Sequence, residues 1–154
     1  GVKNIMFIVI EGDDRTGKDT LISGVCKATK WEYVIIPRGP AGYAAYDSIY
    51  NRYDSSRWAS FLRSAEVLNK SECLFVYCYG DPKTLYERRQ NEIDDGTHPE
   101  APKGKDLSVE DIESRLKTYR FVFDVFYDED KRIYLDSSVL SPKEMVAQVL
   151  EKIK

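Results

Sequence analysis

The sequence predicts an α/β fold, a small doubly wound parallel sheet flanked by helices, and three observations predict it. Short apolar runs of strand length recur along the chain. Stretches of helical periodicity separate them. A glycine-bounded loop follows the first run and opens a helix. Strands covered on both faces read as unbroken apolar runs, and their alternation with helices belongs to a parallel sheet that binds ligands at its carboxyl edge.

Taken in order, residues 5–10 (IMFIVI) form the first strand candidate, and Leu21, Ile22, Val25 and Cys26 form a helical stripe that begins at Leu21. A second strand is expected over 32–36. Trp58, Phe61, Leu62, Ala65 and Leu68 then supply another stripe. Residues 73–79 read as a buried strand, and Asp81-Pro82 starts the helix carrying Leu85. Ile112, Leu116, Tyr119 and Phe123 make a further stripe, with Ser108 as its N-cap. After a strand at 133–135, Ser141, Pro142 and Glu144 give a capping box with proline at the first helical position. Met145, Val146, Val149, Leu150 and Ile153 provide that helix's buried face. One stretch breaks the alternation: 91–106 carries Gly96, Pro99, Pro102, Gly104 and charges without apolar periodicity. It reads as a surface loop or as a lid over a bound nucleotide, at about 90–107.

At 154 residues the chain suits one domain spanning 1–154. The 42% hydrophobic and 32% charged content is that of an ordinary soluble protein, and a net charge of −3 argues against a basic nucleic-acid platform or a membrane-binding surface. No apolar run is long enough to cross a membrane and no signal-peptide pattern is visible. The expected location is therefore cytoplasmic, the host cytoplasm if the gene is a phage's. The start at Gly1 without methionine points to a trimmed end. Cys26, Cys73 and Cys78 lack metal-ligand spacing and read as small buried hydrophobes in a reducing compartment. The one histidine, His98, sits beside Pro99 in a polar stretch and reads as a loop residue.

The loop after the first strand is Gly12-Asp13-Asp14-Arg15-Thr16-Gly17-Lys18-Asp19-Thr20. Its context of buried strand, glycine-bounded turn and helix start is that of a phosphate-binding P-loop. Gly12 and Gly17 let the backbone turn tightly, so that N–H groups and the helix N-terminus face phosphate oxygens. Lys18 would neutralise the outer phosphates. An ordinary strand–turn–helix connection would leave Lys18 without a purpose. Asp19 stands where the pattern has Ser or Thr. Arg15, inside the loop, fits an arginine finger in cis, an effect worth about 10³–10⁵ in rate; the other reading pairs it with Asp13 or Asp14 at the surface.

Phe7-Ile8-Val9-Ile10-Glu11-Gly12-Asp13-Asp14-Arg15-Thr16-Gly17-Lys18-Asp19-Thr20 resembles the opening of thymidylate kinases, and bacteriophage deoxynucleoside monophosphate kinases carry a similar Gly-Lys-Asp-Thr. Tyr33 to Pro40 resembles the strand that ends in Asp-Arg in that family, and Leu74 to Arg89 its strand, Asp-Pro helix start and lid arginines. The resemblance implies a P-loop kinase with ATP on residues 12–20 and on Arg88 and Arg89. It implies Lys18 and Arg15 as the catalytic cations, with Arg15 on the transferred phosphoryl group. Asp14 would accept a hydrogen bond from the acceptor's 3′-hydroxyl, and Arg38 would hold the acceptor phosphate. Tyr43, Tyr46, Tyr50, Tyr53, Trp58 and Phe61 cluster nearby, and one of them stacking on a base is expected, Tyr43 or Tyr46 first. Arg52, Arg57 and Arg63 would add phosphate contacts or form a solvated face, and Asp136-Ser137-Ser138 is a candidate adenine loop.

The chain departs from the family pattern in three ways. Pro37 replaces the aspartate before Arg38, Asp19 carries no hydroxyl for a metal, and four strand candidates stand where the family has five. Mg²⁺ accompanying ATP would rest on Asp19 or Thr20, directly or through water. The partners implied are ATP and a nucleotide substrate, with a homodimer open and no membrane. A kinase acting on a hydroxyl of DNA, RNA or a nucleoside is the alternative; it would need a general base, for which Asp47 and Glu11 are the candidates, and only it brings in nucleic acid. A module that binds nucleotide without turnover is the third reading.

Overall fold

The computed structural model describes residues 4–49, 54–96 and 108–153. The first strand, β1 (Phe7–Gly12), leads into α1 (Lys18–Ala28), and β2 (Val34–Ile36) into α2 (Pro40–Ile49). Helix α3 (Ser55–Asn69) precedes β3 (Cys73–Tyr79) and α4 (Pro82–Asp94). Helix α5 (Val109–Phe126), a short turn at Glu129–Lys131, β4 (Arg132–Asp136) and α6 (Pro142–Ile153) complete the order. Among the described residues the strands form one parallel sheet in the order β2-β1-β3-β4.

Strand alternation divides the interior into two halves. Ile8, Ile10, Leu74 and Val76 face Leu21 and Val25 of α1 and Met145 and Val149 of α6. Val9, Phe75 and Tyr77 face the opposite layer, built from α2, α3 and α5. Both central strands are therefore buried on two sides, which is why β1 and β3 are apolar without a break. The predicted caps are present. Ser108 Oγ accepts from the Asp111 N–H at 3.0 Å, and Asp81 Oδ2 from the Thr84 N–H at 3.0 Å. Ser141 and Glu144 bond reciprocally, closing the capping box. Cys26, Cys73 and Cys78 are buried free thiols.

Some boundaries move. The first strand begins at Phe7 and runs to Gly12, and the second is only Val34–Ile36. Helix α1 starts at Lys18, three residues before Leu21, because Gly17 at φ +79° turns the chain directly into it. Helix α4 continues to Asp94, so Arg88 and Arg89 lie inside the helix and not at its end, and the aperiodic stretch opens as helix. Helix α2 fills a segment with no predicted element. Residues 97–107, with most of the expected lid and His98, lie outside the described residues, as do Tyr50, Arg52 and Tyr53.

Because all four strands are parallel, their carboxyl ends share one edge. That edge carries the loop after β1, Arg38 after β2, Gly80-Asp81 after β3 and Ser137 after β4. The candidate site lies there.

Candidate phosphate and acceptor site

The loop after β1 is held by contacts that admit few substitutions. A Cβ on Gly12 would lie 2.4 Å from the Cys78 carbonyl oxygen of β3, so only glycine fits. Thr16, fully buried, donates its hydroxyl to the Asp13 carbonyl at 2.7 Å and closes the turn. Gly17 has φ +79°, and Arg15 sits in the left-handed region at φ +68°, uncommon for a side chain with a Cβ. The loop opens onto the N-terminus of α1, whose first N–H groups have no helical partner. It lines a cleft of about 530 Å³ together with Arg88, Glu92, Ser137 and Met145. Lys18, Asp19 and Thr20 all line this cleft, in the first turn of α1.

Arg15 and Arg88 are both at the cleft, and each is engaged by protein. Arg15 Nε pairs with Glu92 Oε2 of α4, not with Asp13 or Asp14, the partners of the alternative reading. Arg88 donates to the Arg15 carbonyl at 2.9 Å and to the Ser137 carbonyl and hydroxyl at 2.9 and 3.1 Å. The candidate adenine loop is thereby tied to the P-loop. Arg89 is buried, is not part of the cleft lining, and lies 3.9 Å from the exposed Asp14.

The Asp13 carboxylate faces inward, not toward a phosphate. Its Oδ1 accepts from Arg115 Nε at 2.8 Å and from the Tyr46 hydroxyl at 2.9 Å. Arg115, on α5, is 1% exposed, and its guanidinium lies 5.0 Å from the Tyr46 ring. Burial pushes the Asp13 carboxyl above its usual range, against the pull of Arg115 and Tyr46. Sequence reasoning missed Arg115: an arginine on an amphipathic helix looks like a solvated one. Asp13 can still offer its backbone to a phosphate.

Glu11 ties β1 to the neighbouring turn. Its Oε1 accepts from the Gly39 and Gly42 N–H groups at 2.8 and 2.7 Å, and a Cβ on either glycine would come within 3.0 Å of the carboxylate. Burial raises the Glu11 carboxyl, and the Gly42 and Gly39 amides pull it back. Tyr119 donates to the Gly12 carbonyl at 3.2 Å behind it. Asp47, the other candidate base, is buried and bonded by Arg57 at 2.7 and 3.1 Å, so the Arg57 guanidinium is engaged by protein.

Arg38 emerges two residues past β2, its guanidinium 5.8 Å from the rings of both Tyr43 and Tyr46. Tyr43 is exposed and stacks on Phe61 at 5.7 Å. Arg38, Tyr43, Phe61 and Arg63 line a second, largely apolar cleft of about 560 Å³. The predicted acceptor residues therefore divide: Arg38 and Tyr43 line the second cleft, Asp14 the first, and Tyr46 joins the two through Asp13. For a metal, Asp19 and Thr20 offer exposed oxygen donors at the cleft, the kind Mg²⁺ takes. No group of three or more ligating side chains exists among the described residues. This donor set fits an ion carried in by phosphates, not a protein cage.

No family model matches the chain, and no curated protein does. Solved structures do. The YorR protein of Bacillus subtilis, in complex with phosphorylated GDP, is 16% identical, with 95% of this chain and 94% of that chain covered at a TM-score of 0.67. Deoxyadenosine kinase from M. mycoides with bound dCTP is 14% identical over 96% of this chain and 98% of that one, at a TM-score of 0.61; its dATP complex gives 0.59. At such identities the likeness shows the fold alone, a parallel α/β sheet flanked by helices.

Proposed function

We propose that the protein is an ATP-dependent nucleotide kinase that converts a deoxynucleoside monophosphate, dTMP-like, to the diphosphate within a single domain. The observation that carries the reading is the placement of a glycine-shaped phosphate cradle containing Lys18 and of Arg38 on the same edge of one sheet. Phosphoryl transfer asks chiefly for positioning and for positive charge on the moving group. The α1 N-terminus and Lys18 bind the donor phosphates, and Arg15 lies beside the terminal one. Arg38 holds the acceptor phosphate as a bidentate partner, and Asp14 orients the sugar through its 3′-hydroxyl. An acceptor phosphate oxygen attacks the γ-phosphorus in line, the bond to the β,γ-bridging oxygen breaks, and ADP leaves. Mg²⁺, bound with ATP beside Asp19 or Thr20, would supply further charge neutralisation.

A phosphate acceptor needs no general base, since its oxygen is already ionised. Glu11 and Asp47, the carboxylates a hydroxyl acceptor would call on, are both buried and held by hydrogen bonds. That favours the phosphate acceptor. The likeness to a deoxyadenosine kinase supports nucleoside phosphorylation as the second reading. Labelled ATP offered with deoxynucleoside monophosphates, nucleosides and oligonucleotides decides between them. Label in a nucleoside diphosphate is the expected result. Label only on a nucleoside or an oligonucleotide hydroxyl would overturn the acceptor, and nucleotide binding without transfer would overturn the enzyme.

A further inference from the structure

Helix α4 grips Arg15 at both of its ends. Arg88 and Glu92, four residues apart, lie on one face of the helix. Arg88 takes the Arg15 carbonyl, fixing the backbone at φ +68°, while Glu92 pairs with the side chain at Nε by charge, without an aligned hydrogen bond. An arginine held at Nε keeps its fork of two terminal nitrogens free to point forward. Among the described residues those nitrogens of Arg15 make no hydrogen bond, and both Arg15 and Glu92 line the cleft. The Arg15 side chain is 21% exposed and that of Glu92 42%, so the pair stands at the mouth of the cradle.

We propose that Glu92 is a positioning residue: it orients Arg15 so that both terminal nitrogens meet the γ-phosphate of the donor. This rests on the reading of Arg15 as the cation for the transferred phosphoryl group. The cleft is lined by Asp13, Asp14, Asp19 and Glu92 against Lys18, Arg15 and Arg88, with the Asp13 carboxylate already paired with Arg115. A further carboxylate in a phosphate site lowers affinity unless its charge is spent on a cation, and here it is spent on Arg15. Rotamer freedom is the quantity Glu92 removes: a long arginine in an open cleft samples many orientations, and pinning Nε leaves one.

The test compares the affinities for a non-hydrolysable ATP analogue and for ADP by calorimetry, so the acceptor plays no part. The ratio of the two dissociation constants isolates the γ-phosphate. Glu92→Ala should shrink that ratio by roughly tenfold, the lower end of the losses seen when a partner that orients a metal ligand is removed. Glu92→Gln, which removes the charge from a pair that has no aligned hydrogen bond, should shrink it as much, whereas Glu92→Asp, which keeps the charge, should retain part of it. In an Arg15→Ala background Glu92→Ala should shrink the ratio no further, because the route to the γ-phosphate proposed for it runs through Arg15. An unchanged ratio would overturn the proposal, as would a loss that persists without Arg15. A ratio that rises would overturn it too, making Glu92 a competitor for Arg15. Failure to bind any triphosphate would sink both the nucleotide-kinase reading and this one, whereas binding with an insensitive ratio sinks this one alone.

Discussion

Replacing Arg115 by methionine tests the buried Asp13–Arg115 pair. The two side chains are each 1% exposed, and the Arg115 stem is roughly matched in length by methionine. The Asp13 carboxylate would keep one donor, the Tyr46 hydroxyl at 2.9 Å. Removing one partner of a buried ion pair costs about 3–5 kcal/mol, because the other charge is left uncompensated. Protonation of Asp13 caps that cost. Holding a carboxyl neutral at pH 7 against an unfolded pKa of about 3.9 takes about 3 pH units at about 1.4 kcal/mol each, or about 4 kcal/mol. The expected loss at pH 7 is therefore about 3–4 kcal/mol, a large part of a typical domain's stability. The sign with pH follows from proton binding. A variant whose folded Asp13 holds a proton that the unfolded chain releases gains stability as pH falls toward the unfolded pKa. The gap to the parent should thus narrow between pH 7 and pH 5, by at most about 1.4 kcal/mol per unit. Urea unfolding at pH 5, 6 and 7 measures it. A gap below about 1 kcal/mol at pH 7, or one indifferent to pH, would refute the reasoning.

Lys18→Ala should abolish phosphoryl transfer with little change in thermal midpoint, since the side chain is only half-buried at the cleft; transfer at the parent's rate would remove the P-loop from the mechanism. Arg38→Ala should raise the acceptor KM about 10- to 100-fold, the worth of a charged hydrogen bond of about 1.5–3 kcal/mol, while kcat for a saturating acceptor changes much less; an unchanged KM would place the acceptor phosphate elsewhere. Glu11→Gln bears on pH. Burial raises the folded Glu11 carboxyl, so its contribution is whole below the unfolded value of about 4.3 and is lost as pH rises through the folded one. Glutamine cannot titrate, so the fall in stability above pH 4.3 should flatten; parent and variant curves of equal slope would show that Glu11 is not perturbed.

Much of this was written locally and could be read. The unbroken runs of β1 and β3, the caps at Ser108, Asp81 and Ser141, and the glycine spacing of the P-loop each need only neighbouring residues. Helix α2 was not legible because it shows no stripe: Ala41, Gly42, Ala44, Ala45 and Asp47 are all buried, so small residues replace an apolar face. Arg115 was hidden for a different reason. Its partner stands 102 positions away, and nothing near it in sequence marks it as buried. Asp13 looked like part of a loop that serves phosphates, and only the third dimension turns its carboxylate inward. Glu92 likewise fell at the opening of an aperiodic stretch, while the α4 helix in fact extends through it.

The central position of β1 has a consequence for how the chain assembles. Its partners are Val34–Ile36 on one side and Cys73–Tyr79 on the other, with Phe7 opposite both Val34 and Cys73. A chain that has emerged from the ribosome only as far as Asn69 can flank β1 with three residues on one edge and none on the other. Long loops must close before the second ladder repays them, and parallel pairings of this kind are intrinsically slow. The strand-to-strand contact that shapes the phosphate cradle, Gly12 against Cys78, belongs to that late ladder. Ser137 arrives later still, with β4. Under the proposed function, nucleotide affinity would thus report that β3 and β4 are in place: a chain without them has no Cys78 to shape the loop after β1, and a triphosphate would act on the folding equilibrium only by trapping the state that has them.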